Sequence, residues 1–326
     1  MLFSGIARIR LMEEMTPLER LNNVSSKLNH SGIWIKRDDM MSIGLGGNKI
    51  RSLEFWLGEA VQQGADTILA AGMPPSNLCR LTAAACAKLG LRCVLFHNAE
   101  PQTEFQGNPL LNHLMGTEIV YCGKISEPER LERMKEYAGE LSAQGRKAYI
   151  VGDPVVGALG YVNSALELVH QAERKNIDLR HIFLCASAGP TEAGLLYGLM
   201  LFGKSFHVHF VSVEYDRDTF FGLLEEMVEG VAQKLGVRPA GTIQQCCTFY
   251  DDYMGEGYAV PTAGCIDAAK WMARQEAIFL ETTYNAKTYE GLFDLVRKGV
   301  IPSDEAVCIY HTGGTPVLFS QNRQFY

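Results

Sequence analysis

Short apolar runs alternate with stretches of helical spacing along almost the whole chain, a pattern that few architectures accept. Residues 33–39 read as a strand running into a loop. Helix 50–63, strand 67–71, helix 76–89 stopped by Gly90, strand 92–97, helix 109–115, strand 118–121, helix 127–144 and strand 148–151 follow. A second series has helix 157–172, strand 181–186, helix 191–201, strand 206–213, helix 219–235 and strand 244–249. It ends with helices 261–274 and 284–298 and strand 306–310. Strands that alternate with helices throughout predict an α/β protein with doubly wound, mainly parallel sheets. The 326 residues suggest two lobes with a cleft between them. Ligands of such sheets bind beyond the carboxyl ends of the strands. The turns at 44–49, 72–80, 152–160, 187–194 and 311–316 are therefore expected to carry the chemistry.

Composition removes several functions. A net charge of -7, with no Lys/Arg-rich block, argues against nucleic acid as a partner. The longest apolar runs, 182–186 and 306–310, have the length of strands and fall far short of a membrane span. Residues 1–10 contain no long apolar stretch of the signal-peptide kind. The nine cysteines, odd in number and without a CxxC pair, read as buried free thiols in a reducing compartment, with cytoplasm as the expectation. His207 and His209 would share one strand face, but no third ligand stands in register, so no metal is expected.

Lys49 is the residue that most narrows the chemistry. It ends the run Gly44-Leu45-Gly46-Gly47-Asn48-Lys49 and opens a helix. The positive end of the helix dipole disfavours a second positive charge there and favours a neutral, nucleophilic amine, as Schiff-base chemistry requires. A solvated lysine after a glycine turn is the competing reading. The run is neither a P-loop, lacking the Walker spacing, nor a dinucleotide fingerprint, lacking the third glycine. The turn Ser187-Ala188-Gly189-Pro190-Thr191-Glu192-Ala193-Gly194 joins a buried strand to a helix and can cradle a phosphate, or be a plain β-to-α turn. Ser76 and Asn77 open another helix, either as caps or as a grip on a carboxylate. Tyr258 and Tyr284 read as packing residues or as acid/base groups.

In the order GGNK, Ser-Asn at a helix start, Gly157-Ala158-Leu159-Gly160-Tyr161, the 187–194 turn, a Tyr-led helix and His311-Thr312-Gly313-Gly314-Thr315-Pro316, the chain resembles the pyridoxal-phosphate (PLP) enzymes of the second fold type. Within them it is similar to the D-cysteine desulfhydrase and 1-aminocyclopropane-1-carboxylate (ACC) deaminase family. The likeness runs from Thr16-Pro17-Leu18-Glu19-Arg20-Leu21 to the HTGGTP run. It implies two doubly wound domains with the active site in the cleft. The large, PLP-binding domain would comprise residues 1–47 and 157–326, and the small domain 48–156. It implies Lys49 as the covalent attachment point and α-carbon base, and Asn77 at the ring hydroxyl. Asn48, Ala188, Gly189, Thr191, Ala193 and Gly194 would hold the cofactor from the phosphate side, with Asn285 and Thr312 by the ring. Ser76 would face the substrate carboxylate, and Tyr258 and Tyr284 the substrate side. A homodimer with a small amino-acid substrate is implied as well.

Departures from the family pattern bear on the reaction. Asn285 occupies a position where ACC deaminases carry glutamate and desulfhydrases threonine. A neutral side chain there cannot hold a proton on the pyridine nitrogen by charge, which disfavours cyclopropane opening and favours β-elimination. Pro75 and Leu78 stand in place of glutamine and histidine, Ser52 in place of a lysine, and Gly152-Asp153-Pro154 in place of Gly-Gly-Ser. The expectation is a PLP-dependent lyase that expels a β-substituent and yields a 2-oxo acid and ammonia, on a diverged substrate. β-Replacement, racemisation, ACC deamination and a non-catalytic binding role are the alternatives.

Overall fold

The computed structural model describes residues 2–187, 189–202 and 206–326. In chain order the first half contains β1 (Leu18–Arg20), α1 (Asn22–Lys27), β2 (Ile33–Arg37), α2 (Lys49–Gln62), β3 (Thr67–Gly72), α3 (Asn77–Leu89), β4 (Arg92–His97), α4 (Asn108–Leu114), β5 (Glu118–Tyr121), α5 (Glu127–Ala143) and β6 (Ala148–Ile150). The second half contains α6 (Pro154–Arg174), β7 (Leu179–Ala186), α7 (Pro190–Leu201), β8 (His207–Ser212), α8 (Arg217–Leu235), α9 (Ile243–Cys246), β9 (Cys247–Tyr250), α10 (Ala263–Glu276), α11 (Asn285–Arg297), β10 (Ala306–His311) and α12 (Val317–Ser320).

The strands form two sheets, ordered β1-β2-β10-β7-β8-β9 and β5-β4-β3-β6. Every pairing is parallel except β1 with β2. The α/β class with mainly parallel sheets is thus as expected. β10 lies inside the larger sheet because Val307, Cys308, Ile309 and Tyr310 are all buried, leaving no polar face for solvent. Its neighbours β2 and β7 run parallel to it, so the loops after all three emerge on one edge.

Two expectations are corrected. The strand expected at 244–249 is split: Gln245 reaches back to the Thr242 amide (3.1 Å) and holds a helical turn, so the strand begins only at Cys247. The turn expected at 152–160 is nearly all helix. Asp153 accepts the amides of Val155 (2.9 Å) and Val156 (3.0 Å) and starts α6 three residues before Gly157. Gly157 and Gly160 then serve packing. A Cβ on Gly160 would lie 2.3 Å from the Arg51 carbonyl, and one on Gly157 2.3 Å from the Trp56 ring. The Gly157–Tyr161 run is the seam that lets α2 lie directly on α6.

Behind that seam is a buried charge cluster. Arg51 donates to Asp38 (2.7 and 2.9 Å), to Glu167 (2.9 and 3.1 Å) and to the Thr16 hydroxyl (2.9 Å). Lys36 reaches Glu167 (2.5 Å), and the Tyr161 hydroxyl donates to Asp38 (2.5 Å). Burial alone would raise the Glu167 carboxyl, but the Arg51 and Lys36 charges and their hydrogen bonds outweigh it and hold it at about 2. Lys36 itself is lowered, by burial and then by the like charge of Arg51, so Arg51 is the principal partner of Glu167.

Breaking a buried pair leaves a stranded charge. Arg51→Met should therefore cost about 3–5 kcal/mol of unfolding free energy in urea. The same change at Arg92, whose Glu118 partner is exposed, should cost about 1 kcal/mol or less. Because the Glu167 carboxyl is depressed in the fold, its stabilisation is complete above its ordinary value of 4.5 and is lost as pH falls toward about 2. An acid-unfolding curve should be steep there, and flatter in Glu167→Gln.

Candidate active site

The site is built where the loop after β2 meets the loop after β10. Gly47 and Gly313 form an isolated bridge, the Gly47 amide donates to the Asp38 carbonyl (2.9 Å), and the Asn48 amide to the Thr312 carbonyl (2.9 Å). Both glycines are required here. Gly313 has φ +94°, and a Cβ on it would come within 2.5 Å of the Gly47 Cα. His311 stiffens the second loop: its Nε2 bonds the Phe279 carbonyl (3.0 Å) and its Nδ1 accepts the Gly313 amide (3.1 Å). Burial lowers this imidazole, consistent with a neutral ring that donates at Nε2.

Lys49 follows at the first position of α2, half-buried, and its amine makes no hydrogen bond or ion pair among the described residues. Asn48 does not cap its own helix. Its amide nitrogen crosses to the Thr191 hydroxyl (3.0 Å) and joins the start of α2 to the start of α7. Gly189 is the N-cap of α7, while Ala193 and Gly194 lie within it. A Cβ on Gly194 would be 2.0 Å from the Ala158 carbonyl, so this glycine answers to packing against α6. Ala188 lies outside the described residues. Glu192, left open by its sequence position, turns inward. It is 3% exposed and accepts the Ser187 amide at 2.5 Å.

At α3, Ser76 is the N-cap and its oxygen accepts the Cys79 amide (3.3 Å). The Asn77 oxygen accepts from Asn108 (2.9 Å) and Arg80 (3.4 Å). These donors fix the amide so that its nitrogen faces the Gly314 side, where a Cβ would lie 3.1 Å from it. That nitrogen has no hydrogen-bond partner among the described residues. Arg80 also donates to the carbonyls of Gly44 and Gly46 (3.0 Å to the latter) and has no carboxylate partner, so burial lowers its guanidinium to about 10. Neither Arg80 nor Asn108 carried a local sequence signal, because Arg80 is set by the distant Gly44 and Gly46 carbonyls and Asn108 reaches Asn77 from another segment.

On the remaining side, Tyr258 and Tyr284 share a hydrogen bond between hydroxyls, with ring centroids 5.7 Å apart. Tyr258 is 46% exposed, whereas Tyr284 is largely covered. Burial raises both phenols, most strongly Tyr284, so both are protonated at neutral pH and act as donors. Asn285 is fully engaged. Its amide donates to Glu281 (3.0 Å) and the Gly313 carbonyl (2.8 Å), and its oxygen accepts the Thr312 amide (2.9 Å) and hydroxyl (3.2 Å). A hydrogen bond from Asn285 to a cofactor nitrogen would have to displace one of these. Glu281 caps α11 through the amides of Thr283 (2.7 Å) and Asn285 (2.8 Å). Ser52 is buried and its hydroxyl has no partner among the described residues.

A free lysine amine at a helix start, a glycine cradle and an amide nitrogen held toward it make a donor set suited to an aldehyde cofactor carrying a ring hydroxyl. Comparison with known proteins agrees: residues 9–313 match the family model described as pyridoxal-phosphate dependent enzyme. The chain belongs to that family. It is 34% identical to the D-cysteine desulfhydrase of Serratia proteamaculans (strain 568), over 97% of this chain and 96% of that one. It is 35% identical to the D-cysteine desulfhydrase of Salmonella typhi, over 96% and 95%. A crystal structure of an ACC deaminase homologue superposes with TM-score 0.90 at 31% identity, covering 99% of this chain and 97% of the other. The processed form of threonine deaminase isoform 2 from Solanum lycopersicum has the same fold at TM-score 0.67 and 17% identity, covering 99% of this chain and 84% of the other. The protein is a PLP-dependent enzyme of the lyase/deaminase kind, as the resemblance implied. Among the described residues no helix is long and apolar enough to cross a membrane.

Gly313→Ala should strain the left-handed backbone by about 1–3 kcal/mol and push apart the two loops that carry Lys49 and Thr312. Urea unfolding should report the loss of stability, and a PLP titration should report weaker cofactor binding.

Proposed function

We propose that this enzyme removes the α-proton of a small amino acid and expels its β-substituent, giving a 2-oxo acid and ammonia, as a D-cysteine desulfhydrase-like lyase. The observation that carries this reading is the amine of Lys49, unpaired among the described residues and placed by the Gly47–Gly313 bridge and the Asn48–Thr312 bond. Lys49 is the covalent attachment point and the base at the α-carbon. Bound PLP supplies the electron sink that stabilises negative charge on that carbon.

The remaining roles follow from the available donors. The Asn77 amide nitrogen meets the ring hydroxyl, oriented by Arg80 and Asn108. The main chain of Gly189 and Thr191 receives the phosphate, with Asn48 bracing Thr191 and with Ala193 and Gly194 as the helix behind it. Thr312 and Asn285 flank the ring. Ser76 donates its proton to the substrate carboxylate at the start of α3, where the helix dipole favours an anion. The protonated Tyr258–Tyr284 pair holds a proton for the departing β-substituent. Pro75 and Leu78 make the rim beside Ser76 less polar and support a substrate bulkier or less polar than cysteine.

Residues 1–47 with 157–326 are read as the large domain and 48–156 as the small one, in keeping with the strand membership of the two sheets. A cytoplasmic location is supported by nine free cysteines, eight of them buried. A homodimer is supported by the exposed apolar side chains Phe279 and Phe319.

The test supplies D-cysteine and other β-substituted amino acids of both configurations and measures sulfide, pyruvate and product masses. Lys49→Ala should lower kcat by about 10²–10⁴-fold and abolish the visible absorbance that borohydride removes from the PLP-loaded enzyme. Full activity in Lys49→Ala would sink the assignment.

A further inference from the structure

The start of α7 is expected to receive a phosphate through its free amides, yet an anion of the protein's own is already there. Glu192, the third residue of α7, folds back over the turn. Its carboxylate accepts the Ser187 amide at 2.5 Å, and the amides of Gly189 and of Glu192 itself also act on it. A Cβ on Gly189 would meet the other carboxylate oxygen at 3.5 Å. A carboxylate in this position supplies the acceptor that a helix start otherwise takes from solvent or ligand.

The groups around Glu192 offer a phosphate little positive charge. Lys49 on α2 is the cation that acts on it among the described residues, and that amine is the cofactor's attachment point. From β7 comes Cys185, a buried neutral thiol pushed up to about 12 by burial and then by Glu192. From the segment after β8 comes Glu214, which accepts the Ser187 hydroxyl (2.7 Å) and adds a second negative charge to the rim. From α6 comes Tyr161, whose hydroxyl is turned away to Asp38. A dianionic phosphate and an ionised, buried Glu192 on the same amides repel each other without a counter-ion.

We infer that Glu192 makes cofactor docking proton-linked: PLP enters the α7 cup with uptake of one solvent proton, shared between its phosphate and the Glu192 carboxylate. This rests on the cofactor placement proposed above. A phosphate monoester loses its second proton near pH ~6. Above that pH the uptake should weaken binding by about tenfold per pH unit relative to a protein without the carboxylate. Burial raises the Glu192 carboxyl and so lowers the cost of protonating it.

The test measures PLP binding to wild type and Glu192→Gln across neutral to alkaline pH, by fluorescence titration and by calorimetry in two buffers of different ionisation enthalpy. Pyridoxal, which lacks the phosphate, is the control. Thermal melts establish that the variant is folded. The expected result is a ratio of dissociation constants, wild type over Glu192→Gln, that rises about tenfold per pH unit for PLP and stays flat for pyridoxal. Wild type should take up one more proton with PLP than with pyridoxal. Parallel pH curves for the two proteins, or equal proton uptake with PLP and pyridoxal, would overturn the inference and leave the cofactor placement standing. Saturable PLP binding in neither protein would overturn both. If Glu192→Gln does not fold, the wild-type comparison of PLP with pyridoxal still decides.

Discussion

The Arg51–Asp38–Glu167 cluster holds the rest of the active site in place. Lys49 lies two residues before Arg51 on the same helix, so whatever fixes Arg51 also fixes the position of the proposed Schiff-base lysine. Asp38 belongs to the segment that leaves β2, and Glu167 to α6, so one guanidinium ties three distant stretches together. The charges are buried, and their desolvation is offset only because every oxygen and nitrogen is matched, down to the Thr16 and Tyr161 hydroxyls. Such a cluster gives modest net stability but penalises any other arrangement of α2 heavily. That penalty is what a site needing one lysine in one position requires.

Close backbone approach is the second constraint. Gly157 and Gly160 let α2 rest on α6, Gly194 lets α7 rest on α6 from the other side, and Gly313 lets the last loop touch Gly47. α6 therefore acts as the common floor on which α2, which carries Lys49, and α7 are mounted. Asn48 closes the arrangement by bonding Thr191 across the gap between them. The glycine-rich motifs thus divide by task. Gly47 and Gly313 shape the site itself, whereas the Gly157–Tyr161 run brings its supports together from beneath.

Most helices and strands were legible because their apolar period is local. β4 and β5 match their expected limits, and α3 opens at its Ser76 cap and stops at Gly90. The failures have physical causes. The start of α6 was missed because Asp153 caps it through a side chain, while the glycines after it look like a turn when read alone. The strand at 244–249 was overextended because Gln245 spends its side chain on the Thr242 amide, and β-propensity does not register that bond. β1 and α1 were missed because each is short; β1 exists only through its antiparallel pairing with β2.

By itself, the sequence determined that the chain alternates strands and helices, that Lys49 opens a helix after a glycine turn, and that its family uses pyridoxal phosphate. These follow from local period, capping and motif order. Only the tertiary structure decided where the polar groups point. It committed both amide hydrogens of Asn285 to Glu281 and Gly313, fixed the Asn77 amide through Arg80 and Asn108, and turned Glu192 into the cup at the start of α7. Arg80 and Glu281 are close in sequence to the amides they bind, but direction is completed by Asn108 for Asn77, by Gly313 for Asn285 and by a fold-back of the chain for Glu192, and no local pattern encodes those.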